Sequence, residues 1–154
     1  MLFRSEFLSF EEMNKELLLF DTFSGFDPQL ISEEERSVVQ GLYAYGSCLT
    51  EVKKTFEGFP FVKIIPGSVP ASLKDFPFKK ICFLSIDMNC VAPEVAAFEH
   101  LWPFVSPGGV VLLDDYGFKD HFQQKKAFDL LGEALNFRVI QLPSGQGLIL
   151  KSPC

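Results

Sequence analysis

The chain has 154 residues, 47% hydrophobic and 14% aromatic with 18 Phe, which suffices for one domain, residues 1–154, around a dense core. Its formal net charge of -6, with Lys and Arg scattered as singles and pairs, excludes the basic footprint that phosphate backbones require, so no nucleic-acid partner is expected. The opening MLFRSEFLSFEEMNKE lacks the basic start, apolar centre and small-residue cleavage site of a signal peptide. No apolar run reaches the roughly 20 residues of a membrane span, and the expectation is a soluble, cytoplasmic protein without membrane contact.

In chain order, the first strand candidate is ELLLFD, Glu16 to Asp21. Thr22 to Gly46 comes next, without a clear period and rich in turn formers and acids, which marks it as a lid or mobile loop. SCLTEVKKTFEGF places Leu49, Val52 and Phe56 at helical spacing, and FVKII, Phe61 to Ile65, is the second strand. KICFLSID, Lys80 to Asp87, is the third strand; a helix over APEVAAFEHLWPFV buries Val95, Phe98, Leu101 and Trp102. GVVLLDD, Gly109 to Asp115, is the fourth strand, with a helix after it over QQKKAFDLLGEAL. FRVIQL, Phe137 to Leu142, and GLILK, Gly147 to Lys151, are joined by a turn too short for a crossover helix and should form an antiparallel hairpin at one edge. The alternation predicts an α/β fold with a mostly parallel sheet and helices on both faces. Cys48, Cys82, Cys90 and Cys154 have no zinc-like spacing and are read as free thiols, with Cys82 a small hydrophobe in a strand.

Ligands of open parallel sheets sit beyond the carboxyl ends of the strands. There the first strand ends in Asp21, the second runs into Pro66 to Ser68, the third ends in Asp87, and the fourth ends in Asp114 and Asp115. Asp often ends strands as a turn former or helix cap, but several carboxylates at one rim repel unless a positive charge sits between them. Asp87, Asp114 and Asp115 offer hard oxygen ligands for Mg or a similar divalent cation, with positions left open for water or a substrate hydroxyl.

The segments LLLFDTFSGF, IIPGSVPASL, FLSIDMN, FEHLWPFVSPGGVVLLDDYG and GLILKS, in this order and spacing, resemble the later two thirds of the macrocin O-methyltransferase-like family, class I S-adenosylmethionine (SAM) enzymes that methylate sugar hydroxyls. The resemblance implies a Rossmann-like fold, a SAM cofactor and a hydroxylated small-molecule substrate. It implies a Mg ion on Asp87, Asp114 and Asp115, and cofactor contacts from Asp21 to the ribose, from Ser68 near the adenine, and from Asp87 at the same rim. Many family members carry a second Asp two residues after the first, where this chain has Asn89. An amide takes no proton at useful pH, so Asn89 leaves three readings: His121 or Asp120 serves as base, solvent does, or the chain is not a catalyst. His100, in its helix, reads as a packing residue.

The resemblance also implies a first strand and glycine-rich turn before Glu16, whereas residues 1 to 15 hold no glycine, and Leu2, Phe3, Phe7, Leu8 and Phe10 look like part of a following helix. The expectation is a methyltransferase fold without its first unit, with SAM bound nearer millimolar than micromolar, a loss of about 4 kcal/mol. Two repairs of the resulting strand edges are expected: Leu18 to Phe20 pair directly with Phe83 to Ile86, or a second copy covers the surface as a homodimer. Two rival functions remain. A non-catalytic binding protein would keep the fold alone. A haloacid-dehalogenase-type phosphatase would read LLLFDTFSG as its motif, but Phe23 stands where that chemistry needs an acid.

Overall fold

A computed structural model describes residues 10–39 and 46–152. The expectations for residues 1–9, for Cys154, and for the part of the lid at 40–45 lie outside them.

β1 (Leu17–Asp21) and β2 (Val62–Pro66) pair in parallel, Leu17 opposite Val62 through Asp21 opposite Pro66. A parallel pair needs a crossover, and residues 22–61 supply it with α1 (Glu33–Val39) and α2 (Leu49–Thr55). Phe56, Phe59, Phe61 and Phe10 form a chain of ring contacts with centroids 5.0 to 6.2 Å apart.

The segment expected to be a loop contains a helix because Ser32 and Glu35 form a reciprocal cap. The Ser32 hydroxyl accepts from Glu35 N–H (3.3 Å) while the Glu35 carboxylate accepts from Ser32 N–H (3.0 Å). The S-x-x-E spacing was present in the sequence, hidden among acids that carry no apolar period.

β3 (Ile81–Ile86) and β4 (Val105–Leu113) also pair in parallel, joined through α3 (Val91–Leu101). α3 stops four residues before the expected Val105, because Pro103 cannot continue it and a 3-10 turn, Trp102–Phe104, leads straight into β4. The β3–β4 register shifts between Ile81 and Phe83, where Gly108 takes a φ of +76° that suits glycine. After α4 (Phe122–Leu135), β5 (Ile140–Gln141) and β6 (Gly147–Leu150) form the expected antiparallel hairpin, and β6 lies between β4 and β5. β5 is shorter than FRVIQL suggests because Asn136 caps α4 at φ +56° and turns Phe137 inward, onto Phe98 (5.1 Å) and Trp102 (5.3 Å).

The direct pairing of β1 with β3 does not form: the strands stand in two sheets, ordered β1-β2 and β3-β4-β6-β5. Side chains join the units instead. Phe20 of β1 packs with Ile81 and Leu84 of β3 around buried Val69, Leu73, Ala97 and Leu101. Leu84, Ile86, Val111, Leu113 and Ile149 face α3 and α4, whose Phe98 and Phe128 are wholly buried and meet edge to face at 5.5 Å. Alternation sends Phe83, Val110, Leu112, Leu148 and Leu150 to the opposite face, together with Ile140, the cross-strand partner of Leu148. Here Phe83, Ile140 and Leu150 are 48%, 51% and 53% exposed.

Candidate functional site at the strand-end rim

Asp21 and Ser68 stand on neighbouring strand ends, since Asp21 pairs with Pro66 and its carbonyl accepts from Gly67 N–H (2.9 Å). The exposed Asp21 carboxylate accepts from Phe23 N–H (2.7 Å), a local turn that aims it outward. Ser68 donates its hydroxyl to Asp27 (2.8 Å), a partner the sequence did not suggest. Both stand at one rim, at the ends of β1 and β2. Phe23, where a phosphatase would need an acid, is buried at φ +53° and offers no proton.

β3 and β4 place the acids next to one another. Ile86 pairs with Leu113, and Asp114 N–H donates to the Ile86 carbonyl (2.9 Å), so Asp87 and Asp114 occupy adjacent strand ends on the same side of the sheet. Asp87 has its pKa pushed up to about 6, first by partial desolvation and then by Asp114, Asp115 and Asp21, against a hydrogen bond from Asn89 Nδ2 (3.2 Å). Asn89 sits at φ +57°, a left-handed position that Asn tolerates better than most residues. Asp114 accepts from Gln146 Nε2 at 2.5 Å.

Asp115 follows Asp114 beyond the end of β4 and is buried. Burial raises its pKa first and Asp114 adds to this, while His121 pulls it down. Its Oδ1 lies 3.9 Å from His121 Nε2, its Oδ2 is buried with no hydrogen-bond partner, and the Asn89 backbone N–H beside the carboxylate also lowers its pKa. His121 Nδ1 meets Gln124 Nε2 at 3.0 Å, where only a ring nitrogen without hydrogen can accept. That leaves the hydrogen on Nε2, toward Asp115, so neither ring nitrogen offers a free lone pair to a substrate. Asp120, next to His121, is exposed.

These residues fit a divalent cation in donor chemistry and in charge. The set is made of hard carboxylate oxygens, one of them orphaned, and burial first and then their mutual repulsion raises Asp87. The side chains are not gathered into a finished cage: among the described residues no three His, Cys, Asp or Glu side chains stand together as a ligand set.

Two further acids border the rim and were missed in the sequence. Glu94 of α3 is almost wholly buried and accepts from Met88 N–H (3.2 Å); burial first, then Asp115, pushes its pKa up to about 8. It therefore holds a proton at neutral pH. Glu35 of α1, besides its own cap, accepts from Val91 N–H at the start of α3 (2.6 Å) and so docks α1 beside Asn89. A cleft of about 330 Å³ opens there, with Glu34, Ser37, Asn89, Lys119, His121 and Gln123 among its polar lining. His100 makes ring contact with Phe78 and Phe104 and stays a packing residue. Cys48, Cys82 and Cys90 are free thiols; Cys82 is exposed rather than packed, at the register shift between Ile81 and Phe83. No helix of the described residues is long and apolar enough to cross a membrane.

The Mycinamicin III 3''-O-methyltransferase of Micromonospora griseorubida is 21% identical to this chain over 118 residues, covering 70% of the chain and 46% of that protein. An 8-demethyl-8-(2,3-dimethoxy-alpha-L-rhamnosyl)-tetracenomycin-C 4'-O-methyltransferase of Streptomyces olivaceus is 31% identical over 72 residues, covering 44% of the chain and 28% of that protein. The chain thus spans less than half the length of these relatives. The solved structure of the O-methyltransferase NovP superposes with a TM-score of 0.79 at 19% identity, covering 99% of this chain and 66% of that one, which shows a shared Rossmann-like methyltransferase fold. Residues 1–132 match the Macrocin-O-methyltransferase (TylF) family, and with most of its length matched the chain belongs to that family.

Proposed function

We propose that this chain is part of a SAM-dependent O-methyltransferase that methylates a hydroxyl of a small molecule such as a sugar, with a divalent cation, Mg or similar, held by Asp87, Asp114 and Asp115. The observation that carries this reading is the orphaned Asp115 oxygen among mutually repelling carboxylates, beside a polar cleft of substrate size. Family membership supports SAM as methyl donor and a sugar hydroxyl as acceptor.

Methyl transfer from a sulfonium is an in-line displacement, and the chain's task is to place the acceptor oxygen behind the methyl group and to remove its proton. The cation, when bound, makes an acceptor hydroxyl more acidic and orients it. Asp21 would accept from ribose hydroxyls with its exposed carboxylate, Ser68 would border the adenine, and Asp87 would contribute to the same rim. Glu34, Ser37 and Gln123 would hold the acceptor's other hydroxyls in the cleft. Asn89 orients Asp87 through its amide and takes no proton. His121 acts as base only after giving up Gln124, which otherwise occupies its acceptor nitrogen. The occupied nitrogen favours the second reading, a non-catalytic binding protein on the same fold. The free thiols Cys48, Cys82 and Cys90 support a reducing, cytoplasmic compartment. Exposed Phe83, Ile140 and Leu150 support a homodimer, which sedimentation velocity tests directly.

Calorimetric titration of SAM with and without Mg decides the main reading. Binding in the millimolar range that strengthens with Mg is expected of the chain as it stands. Absence of SAM binding in both conditions would leave the non-catalytic reading.

A further inference from the structure

The β4–β6 register places Leu113 opposite Gly147, so the next pair outward is Asp114 opposite Gln146. With Asp87 beside Asp114 on β3, the three side chains Asp87, Asp114 and Gln146 form one row across the end of the sheet, all on the same face. Gln146 Nε2 donates to Asp114 Oδ1 at 2.5 Å, and Ser144 donates its hydroxyl to Gln146 Oε1 at 3.0 Å. A hydroxyl on the amide oxygen fixes which end of the amide meets the carboxylate.

The turn that carries these residues is itself fixed. Leu142 N–H donates to the Gln146 carbonyl (2.8 Å), Gly145 N–H to the Leu142 carbonyl (3.0 Å), and Gly117 N–H to the Gly145 carbonyl (2.6 Å). Gly145 takes φ +90° and lies so close to Phe118 that an added Cβ would stand 3.1 Å from its ring. A Cβ on Gly117 would stand 2.7 Å from the Gly145 carbonyl, so the hairpin turn and the Asp114–Gly117 loop interlock through glycines.

From this geometry we infer that Gln146, oriented by Ser144, is a positioning residue for Asp114: it holds Oδ1 and leaves Oδ2 as the oxygen presented to a cation. The inference rests on the proposed cation site and names a residue beyond the family-matched residues 1–132. A neutral donor suits the place. A Glu here would add another carboxylate to an already repelling rim, and a Lys would supply the positive charge that the cation is to bring. Partners that orient a metal's ligands are worth about 10- to 100-fold in metal affinity.

The test uses Mn as probe and the whole chain without SAM or substrate. Calorimetry should show Mn binding weakened about 10-fold or more in Gln146→Ala and in Gln146→Met, which keeps the length and loses the donor, with Ser144→Ala losing less. The metal-free melting temperature should stay near wild type, which separates positioning from folding. Mn affinity unchanged within about a factor of two in both Gln146 variants overturns the inference. If wild type binds no Mn, the cation reading fails, and the nuclear magnetic resonance signal of the labelled Gln146 side-chain amide decides alone. That signal should move on Asp114→Asn, and an unmoved signal overturns the inference.

Discussion

The two faces of the β3-β4-β6-β5 sheet are built from equally apolar residues and have opposite fates. On one, Phe98 is fully buried between Trp102, Phe128 and Phe137 at 5.0, 5.5 and 5.1 Å. On the other, Phe83, Ile140 and Leu150 each expose about half their surface. Beyond the register shift near Cys82 the strands alternate between the faces, so the difference does not lie in the strand sequences. It lies in the connecting helices: α3 and α4 pack on one face, and the other keeps Phe83, Ile140 and Leu150 half exposed. A hydrophobic strand pattern states that a face is to be covered, and the partner must come from elsewhere.

The largest expected effect tests that contrast. Phe98→Ala should cost about 4 kcal/mol in urea unfolding, combining lost transfer energy with a cavity that three surrounding rings cannot fill. Phe83→Ser on the open face should change stability by less than about 0.5 kcal/mol. A comparable loss in both variants would break the comparison and mean that the Phe83 face is covered in solution, in which case sedimentation should show a second copy that Phe83→Ser releases.

The same contrast explains what the sequence disclosed. The six strands, the helix around Phe98 and the closing hairpin were legible because period and turn residues are local properties. The placement of Asp21, Ser68, Asp87, Asp114 and Asp115 at or just past strand ends was legible too, since each follows an apolar run. Three other features depend on distant pairings. Glu35 carried a visible S-x-x-E cap, yet its bond to Val91 spans 56 residues. Gln146 becomes a neighbour of Asp114 only through the β4–β6 register. The expected β1–β3 pairing failed because Phe20, Ile81 and Leu84 satisfy their apolar surface by side-chain packing, which a strand pattern does not distinguish from backbone pairing.

Glu94 gives an intermediate effect and sharpens the view of the polar side of the rim. Its folded pKa of about 8 lies above the ordinary 4.5, so the native state binds more protons than the unfolded state between those values. Stability contributed by this group is complete below about pH 4.5 and falls as pH rises toward 8. Glu94→Gln keeps an oxygen for the Met88 N–H and removes the titration. In buffer with chelator, its unfolding midpoint should therefore pull ahead of wild type as pH climbs from 5 to 8, by on the order of 2 kcal/mol at the upper end. Parallel pH profiles for the two proteins would mean that Glu94 is ionised in the fold.

A smaller effect than that of Glu94 concerns how far a dense polar network outweighs its parts. Tyr116, buried behind Asp115, donates its hydroxyl to Asp129 (2.6 Å) and accepts from Lys125 Nζ (2.9 Å), whose charge also lies 4.5 Å from the ring centroid. Tyr116→Phe keeps the ring, its contact with Lys125 and the close fit to Gly147, and removes only the hydroxyl. Asp129 and Lys125 still bond each other at 2.7 Å and both reach solvent, so neither is left buried and unpaired. The cost should thus stay near that of one ordinary hydrogen bond, about 1 kcal/mol, read from urea midpoints. A loss above about 2 kcal/mol would show that the three groups act cooperatively, and that the acidic loop is held by its network more than by the packing of its ring.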